Sequence, residues 1–208
     1  MKGNSVKVCI GVLALQGDFY LHIRTLTKLQ CRTMEIRTPE ELAHVNGLII
    51  PGGESTTLER LIRRDGLGDL IRERHLSGTL PIFGTCMGMI LLAKDIENSS
   101  RYRLGLMDIA VDRNAYGRQV DSFEADFYFN GVPDAFSSEA SMQPFHGVFI
   151  RAPIVKRVGK SVRVLAEYKN RPVLMREGAL LAASFHPEIT DDTRIHGLFL
   201  KIVEDSGQ

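Results

Sequence analysis

Four short apolar runs, each stopped by a turn-forming sequence and followed by residues at helical spacing, constrain this chain's fold more than anything else in it. Val6–Leu15 is β-branched and almost continuously apolar, the pattern of a strand buried on both faces of a sheet. Gln16-Gly17-Asp18 breaks it, and Phe19–Leu29 then carries apolar residues at helical spacing: Phe19, Leu21–Ile23, Leu26 and Leu29. Thr33–Ile36, Gly47–Ile50 and Leu80–Phe83 predict three further strands. Pro51-Gly52-Gly53 stops the third run, and Gly84-Thr85-Cys86 follows the fourth at once. Between these runs, Pro39–Ala43 (opened by Thr38), Thr56–Arg64 and Leu67–His75 predict helices, with Gly66 separating the last two. Met87–Ala93 is an apolar helix directly after Cys86. Alternation of this kind requires a parallel sheet covered on both faces.

The second half changes character. Ile109–Arg113, Ser122–Phe129, Val148–Arg151, Val162–Tyr168, Val173–Arg176 and Leu180–Ser184 predict strands joined only by turns, and Ile195–Val203 a closing helix. Asp134–Pro144 is polar and predicts a surface loop. The expected architecture is a three-layer α/β fold, one domain over residues 1–208. Its central sheet is mostly parallel with helices on both faces, and antiparallel strands are added to the same sheet in the C-terminal half.

Charge narrows the partners. Twenty-six basic against 25 acidic residues leave a net +1 without clustering, so no nucleic-acid footprint or acidic tail is present. No stretch reaches the roughly 20 apolar residues a membrane helix needs. Val8–Leu15 is too short for a signal-peptide core and lacks a cleavage site after it. Three scattered cysteines, Cys9, Cys31 and Cys86, fit neither a disulfide framework nor a CxxC metal motif. A reducing, cytoplasmic location without metal or cofactor is the expectation.

Of the three, Cys86 stands apart. Phe83-Gly84-Thr85-Cys86-Met87-Gly88 puts it on a sharp strand-to-helix turn, the cysteine counterpart of the G-x-S-x-G elbow. The helix beginning at Met87 aims its dipole and free amides at the sulfur and favours thiolate. A buried structural cysteine is the commoner fate; it fits Cys9 within its strand, and Cys31 at a helix-to-strand turn, better than Cys86. A nucleophile needs a base and the base an orienter. Ser184-Phe185-His186-Pro187-Glu188, after a predicted strand, supplies His186 to move the proton and Glu188 to hold the imidazole. Alone, this tripeptide says little; its weight comes from pairing with the elbow. Pro51-Gly52-Gly53-Glu54-Ser55-Thr56-Thr57 offers backbone amides above the carboxyl edge of the sheet, where such folds bind ligands. An oxyanion hole from the Gly53 and Met87 amides is the functional reading. A plain turn with Ser55 capping the next helix is compatible with it, and a phosphate loop lacks its lysine motif.

In that order, P-G-G-E, G-x-C-x-G and H-P-E resemble the class I (triad) glutamine amidotransferases. Val12–Gly17, Pro51–Leu58, Arg113–Ala125, Gly147–Pro153 and Phe185–Thr190 are similar to the glutaminase subunits of pyridoxal phosphate synthases within that family. The resemblance runs from Gly11 to about Leu198. It implies Cys86, His186 and Glu188 as the triad, and glutamine contacts from Gly53, Glu54, Ser55, Arg113, Ile150 and Arg151. Arg113 suits the substrate carboxylate, since guanidinium pairs it bidentately. The resemblance also implies a synthase (lyase) subunit as partner in a hetero-oligomeric complex, with Gln16 near the interface and the oxyanion loop. Three departures stand out. Bulky Met87 follows the nucleophile where a small residue is expected. Asp18-Phe19-Tyr20-Leu21-His22 replaces an A-V-x-E-H pattern. The Phe136–Phe145 loop is longer than usual.

The alternatives are a glutaminase of another pathway, a γ-glutamyl or peptide cysteine hydrolase on the same elbow, and a catalytically dead regulatory module. The intact cysteine, histidine and glutamate weigh against the last.

Overall fold

The computed structural model describes residues 8–113, 122–130 and 142–207, with the side chains of Ser55 and Asp65 outside that description. Its main sheet has seven strands in the order β10-β11-β12-β4-β3-β1-β2. Strands β1 (Cys9–Leu13), β2 (Arg32–Ile36), β3 (Gly47–Ile50) and β4 (Ile82–Thr85) come from the alternating first half and run parallel. β12 (Leu180–Ala183) joins them parallel to β4, with Ala183 opposite Thr85. β11 (Arg171–Glu177) and β10 (Arg163–Tyr168) then extend the edge antiparallel.

Side-chain alternation along these strands divides the core in two, because successive residues of a strand point to opposite faces. Leu13, Leu48, Ile50 and Ile82 face one way. They pack with Leu42 of α2 (Pro39–Leu42), Leu58 and Ile62 of α3 (Ser55–Arg63), Ile71 of α4 (Leu67–Leu76) and the whole of α5 (Met87–Leu92). Ile10, Val12, Ile49 and Phe83 face the other way, against Leu26 of α1 (Phe19–Lys28) and Ile195, Leu198, Phe199 and Ile202 of α6 (Arg194–Ser206). Both faces are therefore covered, and the strands read as unbroken apolar runs for that reason. α2 opens as the sequence indicates: Thr38 accepts from the Glu41 amide while the Glu41 carboxylate accepts from the Thr38 amide, a reciprocal capping box.

The C-terminal half departs from expectation in detail. Only β10 and β11 add antiparallel strands to the main sheet. The rest form a three-stranded sheet, β5 (Ala93–Ile96), β6 (Met107–Asp112) and β9 (Ile154–Val158), and a two-stranded ribbon, β7 (Phe123–Phe127) with β8 (Phe145–Phe149). β5 and β9 escape sequence reading because each mixes charged with apolar positions, as in Lys94-Asp95 and Lys156-Arg157. The strand expected at Val148–Arg151 lies earlier, at Phe145–Phe149, where Phe145, Gly147 and Phe149 are buried and alternate with His146 and Val148. Ile150 and Arg151 leave the ribbon, Arg151 with φ +46°. The strand expected at Leu80–Phe83 is shifted to Ile82–Thr85, so it ends at Cys86 itself. Most of the Asp134–Pro144 excursion and of the Phe136–Phe145 loop, and much of Arg113–Ala125, lie outside the described residues. No helix among the described residues is long and apolar enough to cross a membrane.

Candidate active site

Cys86 occupies the junction of β4 and α5 with φ +49° and ψ −103°, a backbone region that side-chain-bearing residues seldom enter. Such a conformation costs about 1–3 kcal/mol and persists only when the surroundings enforce it. They do so here. The Cys86 amide donates to the Ala183 carbonyl of β12 at 2.8 Å, and its carbonyl accepts from the Ile90 amide at 3.3 Å. Gly88 allows α5 to press against β3: a Cβ there would lie 2.9 Å from the Ile50 carbonyl carbon and closer still to its oxygen. Met87 takes the first helical position, where an amide has no partner within the helix. Its side chain is 4% exposed and belongs to the apolar core. The bulk that set Met87 apart in the sequence is therefore turned into the protein and not over the sulfur.

His186 arrives from the turn after β12, on the strand beside that of Cys86. Its amide donates to the Val148 carbonyl of β8 at 2.9 Å, which ties the turn to the ribbon. The ring has Cys86 on one side. On the other, Nδ1 lies 2.8 Å from Oε1 of Glu188, a carboxylate with no exposure at all. Burial pushes the imidazole pKa down, but the neighbouring Cys86 and Glu188 outweigh it and lift the value to about 10. Glu188 is itself buried, which would raise its pKa; the nearby His22 and His186 more than offset this and hold it low. Sulfur, imidazole and carboxylate thus stand in that order.

The P-G-G loop closes over this line. A side chain at Gly52 would land 2.6 Å from Cε1 of His186 and 3.3 Å from Cβ of Cys86. Gly53 follows with φ +147°, a conformation glycine alone adopts readily. The Gln16 side chain lies against it, with Cδ 2.8 Å from where a Cβ at residue 53 would stand, and Gln16 Oε1 accepts from the Glu54 amide at 2.8 Å. The helix cap differs from expectation. Glu54, not Ser55, caps α3, its carboxylate accepting from the Thr56 and Thr57 amides at 2.9 and 2.7 Å. Those amides hold the Glu54 pKa down at about 2. Ser55 takes the first helical position instead.

Residues expected to contact glutamine lie near the same place. Cys86 Sγ approaches the Ile150 carbonyl at 3.6 Å, and Arg151 follows in its left-handed conformation. Arg113 is half-buried; desolvation lowers its pKa, and Glu59, Glu54 and Cys86 lie within electrostatic reach. A cavity of about 490 Å³ lined by Phe123, Phe149, Tyr168, Lys169 and Ser184 touches none of the triad. Among the described residues, no group of three His, Cys, Asp or Glu is placed to hold a metal ion.

Three buried polar residues behind Glu188 went unnoticed as site components in the sequence. His22 of α1, Thr85 of β4 and His196 of α6 are wholly or almost wholly enclosed. Each sits at a core-facing position, and the only sequence signal is a histidine on an otherwise apolar helical stripe, between Phe19 and Leu26 in one case and beside Ile195 and Phe199 in the other.

Residues 12–205 match the family described as the SNO glutamine amidotransferase family. The chain is 52% identical over 194 residues to the pyridoxal 5'-phosphate synthase subunit PdxT of Carboxydothermus hydrogenoformans, covering 93% of this chain and 97% of that protein. It is 50% identical over 193 residues to the subunit of the same name from Kosmotoga olearia, covering 92% and 96%. A solved structure described as a glutamine amidotransferase superimposes with a TM-score of 0.85 at 47% identity, covering 93% of this chain and 98% of that one.

Proposed function

Because this chain belongs to the SNO glutamine amidotransferase family, we propose that Cys86, His186 and Glu188 perform its hydrolysis of L-glutamine. The protein is a glutaminase subunit of pyridoxal 5'-phosphate synthase, releasing L-glutamate and supplying ammonia to the synthase subunit. One observation carries the residue assignment: a cysteine in a left-handed elbow beside an imidazole whose Nδ1 lies 2.8 Å from a fully buried carboxylate.

The chemistry follows from that line. The Cys86 thiolate attacks the side-chain carboxamide carbon of glutamine, and the carbonyl oxygen becomes an oxyanion. The Gly53 and Met87 amides are the donors that would stabilise it, acting where charge develops in the transition state. His186 passes its proton to the departing nitrogen, the C–N bond breaks, and ammonia leaves a glutamyl thioester on Cys86. Water then attacks the thioester while His186 takes a proton from it, and the C–S bond breaks to give glutamate and the starting thiolate. Glu188 holds the imidazole throughout and balances its charge. Arg113, with the Ile150–Arg151 turn and the Glu54–Ser55 segment, would seat the amino-acid end of the substrate.

Gln16 is the proposed coupling residue to the synthase subunit. It holds the peptide after Gly53 through the Glu54 amide, so a partner that moves Gln16 moves an oxyanion donor. Ammonia set free in water would largely protonate, which favours hydrolysis only with an acceptor docked.

The test is Cys86→Ala in the complex with the synthase subunit, assayed for glutamate release and for labelling by a glutamine-mimicking electrophile. Loss of both is expected. Retained hydrolysis with labelling at Cys9 or Cys31 would overturn the assignment.

A further inference from the structure

Glu188 has two carboxylate oxygens, and the triad accounts for one. Oε1 faces His186, while Oε2 is enclosed and has no hydrogen bond of normal length among the described residues. A buried carboxylate oxygen left this way is costly, and what stands nearest it is an imidazole. Nε2 of His22 lies 3.4 Å from Oε2 and 3.3 Å from the Thr85 hydroxyl, one residue before the nucleophile. Nδ1 of His22 lies 2.9 Å from Nε2 of His196. Both rings have no exposure. Four side chains from α1, α6 and the turn after β12 therefore form one buried row: His196, His22, Glu188, His186.

The row has a preferred proton order. Burial lowers the pKa of both His22 and His196, the latter to about 3, so each ring is neutral and carries a single N–H. The contact of His22 with Glu188 is then a donor facing an anion rather than an ion pair. Were the His22 proton on Nδ1, a lone pair on Nε2 would confront the carboxylate. With it on Nε2, the ring donates toward Oε2 and accepts at Nδ1 from the Nε2–H of His196. This order also leaves Nδ1 of His196, which has no partner among the described residues, as an unprotonated acceptor, the cheaper kind of orphan.

Resting on the triad assignment above, we infer that His22 is a positioning residue for hydrolysis: it fixes Glu188 from behind, and His196 fixes the tautomer with which it does so. Outer partners of this kind set the orientation and basicity of the groups in front of them; behind metal-bound histidines removing one costs roughly ten- to a hundredfold, and a loss of that size is expected here. The groups facing His22 are Glu188, His186, His196, Thr85 and, at the start of α1, Asp18. Without the His22 donor the carboxylate is less well held as an anion and the imidazolium less well held as a cation. The acid limb of the activity profile then moves up and the alkaline limb moves down.

The experiment compares full-length wild type, His22→Phe, His22→Gln and His22→Asn, each with the synthase subunit, by the pH profile of glutamine hydrolysis and by thermal unfolding. For His22→Phe, kcat should fall roughly ten- to a hundredfold and both limbs should move inward by about one unit. Gln places an amide N–H near the position of Nε2 and should recover most of the rate; Asn falls short of Glu188 and should not. A folded His22→Phe with wild-type kcat and unmoved limbs overturns the inference. Should His22→Phe fail to fold, equal rates for Gln and Asn overturn it, and a tenfold or greater advantage of Gln supports it. Cys86→Ala run alongside separates the two claims. Activity there removes the triad assignment itself, whereas a dead Cys86→Ala with unaltered His22 variants removes only the role of His22.

Discussion

Replacing Gly88 by alanine tests whether the elbow is held in shape by the closeness of α5 to β3. The added Cβ would stand 2.9 Å from the Ile50 carbonyl carbon and 3.2 Å from its Cβ, with the carbonyl oxygen nearer than either. None of these atoms is the end of a flexible side chain, so relief requires α5 to lift. Overpacking of this sort costs typically about 1–3 kcal/mol, and the rigid backbone on both sides argues for the upper end. Lifting α5 also carries the Met87 amide and Cys86 away from His186, and a displacement of about 1 Å near reacting atoms can cost about a hundredfold in rate. Gly197 in α6 is the internal control. Nothing lies within 4 Å of its would-be Cβ, so Gly197→Ala should stabilise by about 0.5–1 kcal/mol through helix propensity and leave activity unchanged. Urea midpoints and kcat/KM for the two variants decide the matter. A Gly88→Ala protein with the wild-type midpoint and a rate within twofold would refute the reasoning.

Three further outcomes follow from the geometry. Glu188→Gln keeps the shape of the side chain but removes the charge facing His186, so kcat should fall by about four orders of magnitude, as when a triad carboxylate is neutralised; a loss below tenfold would contradict an orienting role. Because the His186 pKa is raised to about 10, the imidazole keeps the proton destined for ammonia until the medium passes that value, and kcat should decline only above about pH 10; an alkaline limb centred near 7 would show that His186 is not so held. Gln16→Ala frees the Glu54 amide and should weaken the activation of glutamine hydrolysis by added synthase subunit, by up to the hundred- to thousandfold typical of about one oxyanion donor, whereas activity independent of both partner and substitution would discard Gln16 as the coupling residue.

The parallel half of the fold was legible because each buried strand announces itself as an apolar run and stops at a glycine-bearing break. Gly47–Ile50 matches its observed strand residue for residue. The proposed triad was readable because Cys86 and His186 sit where such strands end. What escaped was organised by contacts distant in sequence. Lys94-Asp95 and Lys156-Arg157 look like surface loop, yet they form a small sheet held in part by Arg157 pairing with Asp95 and Asp108 at 2.9 Å. Ile150 and Arg151 continue a β-branched run and read as strand; the backbone turns there and places the Ile150 carbonyl beside the sulfur. His22 and His196 resemble ordinary helix residues until α1 and α6 are folded onto the same face and bring their rings to 2.9 Å.

The placement of β12 beside β4 has a bearing on how the enzyme comes into being. Leu180 pairs with Ile82, and Ala183 with Thr85, so the strand that delivers the base leaves the ribosome well after the strand it pairs with. Pairings so distant along the chain form late and slowly, since the loop between them must close before the contact rewards it. During synthesis the segment bearing Cys86 therefore waits without His186, without the Ala183 carbonyl that helps impose its strained backbone, and without the β8 anchor of the H-P-E turn. Competence for hydrolysis arrives together with the completed sheet, and a nascent or partly unfolded chain has no assembled site with which to spend glutamine.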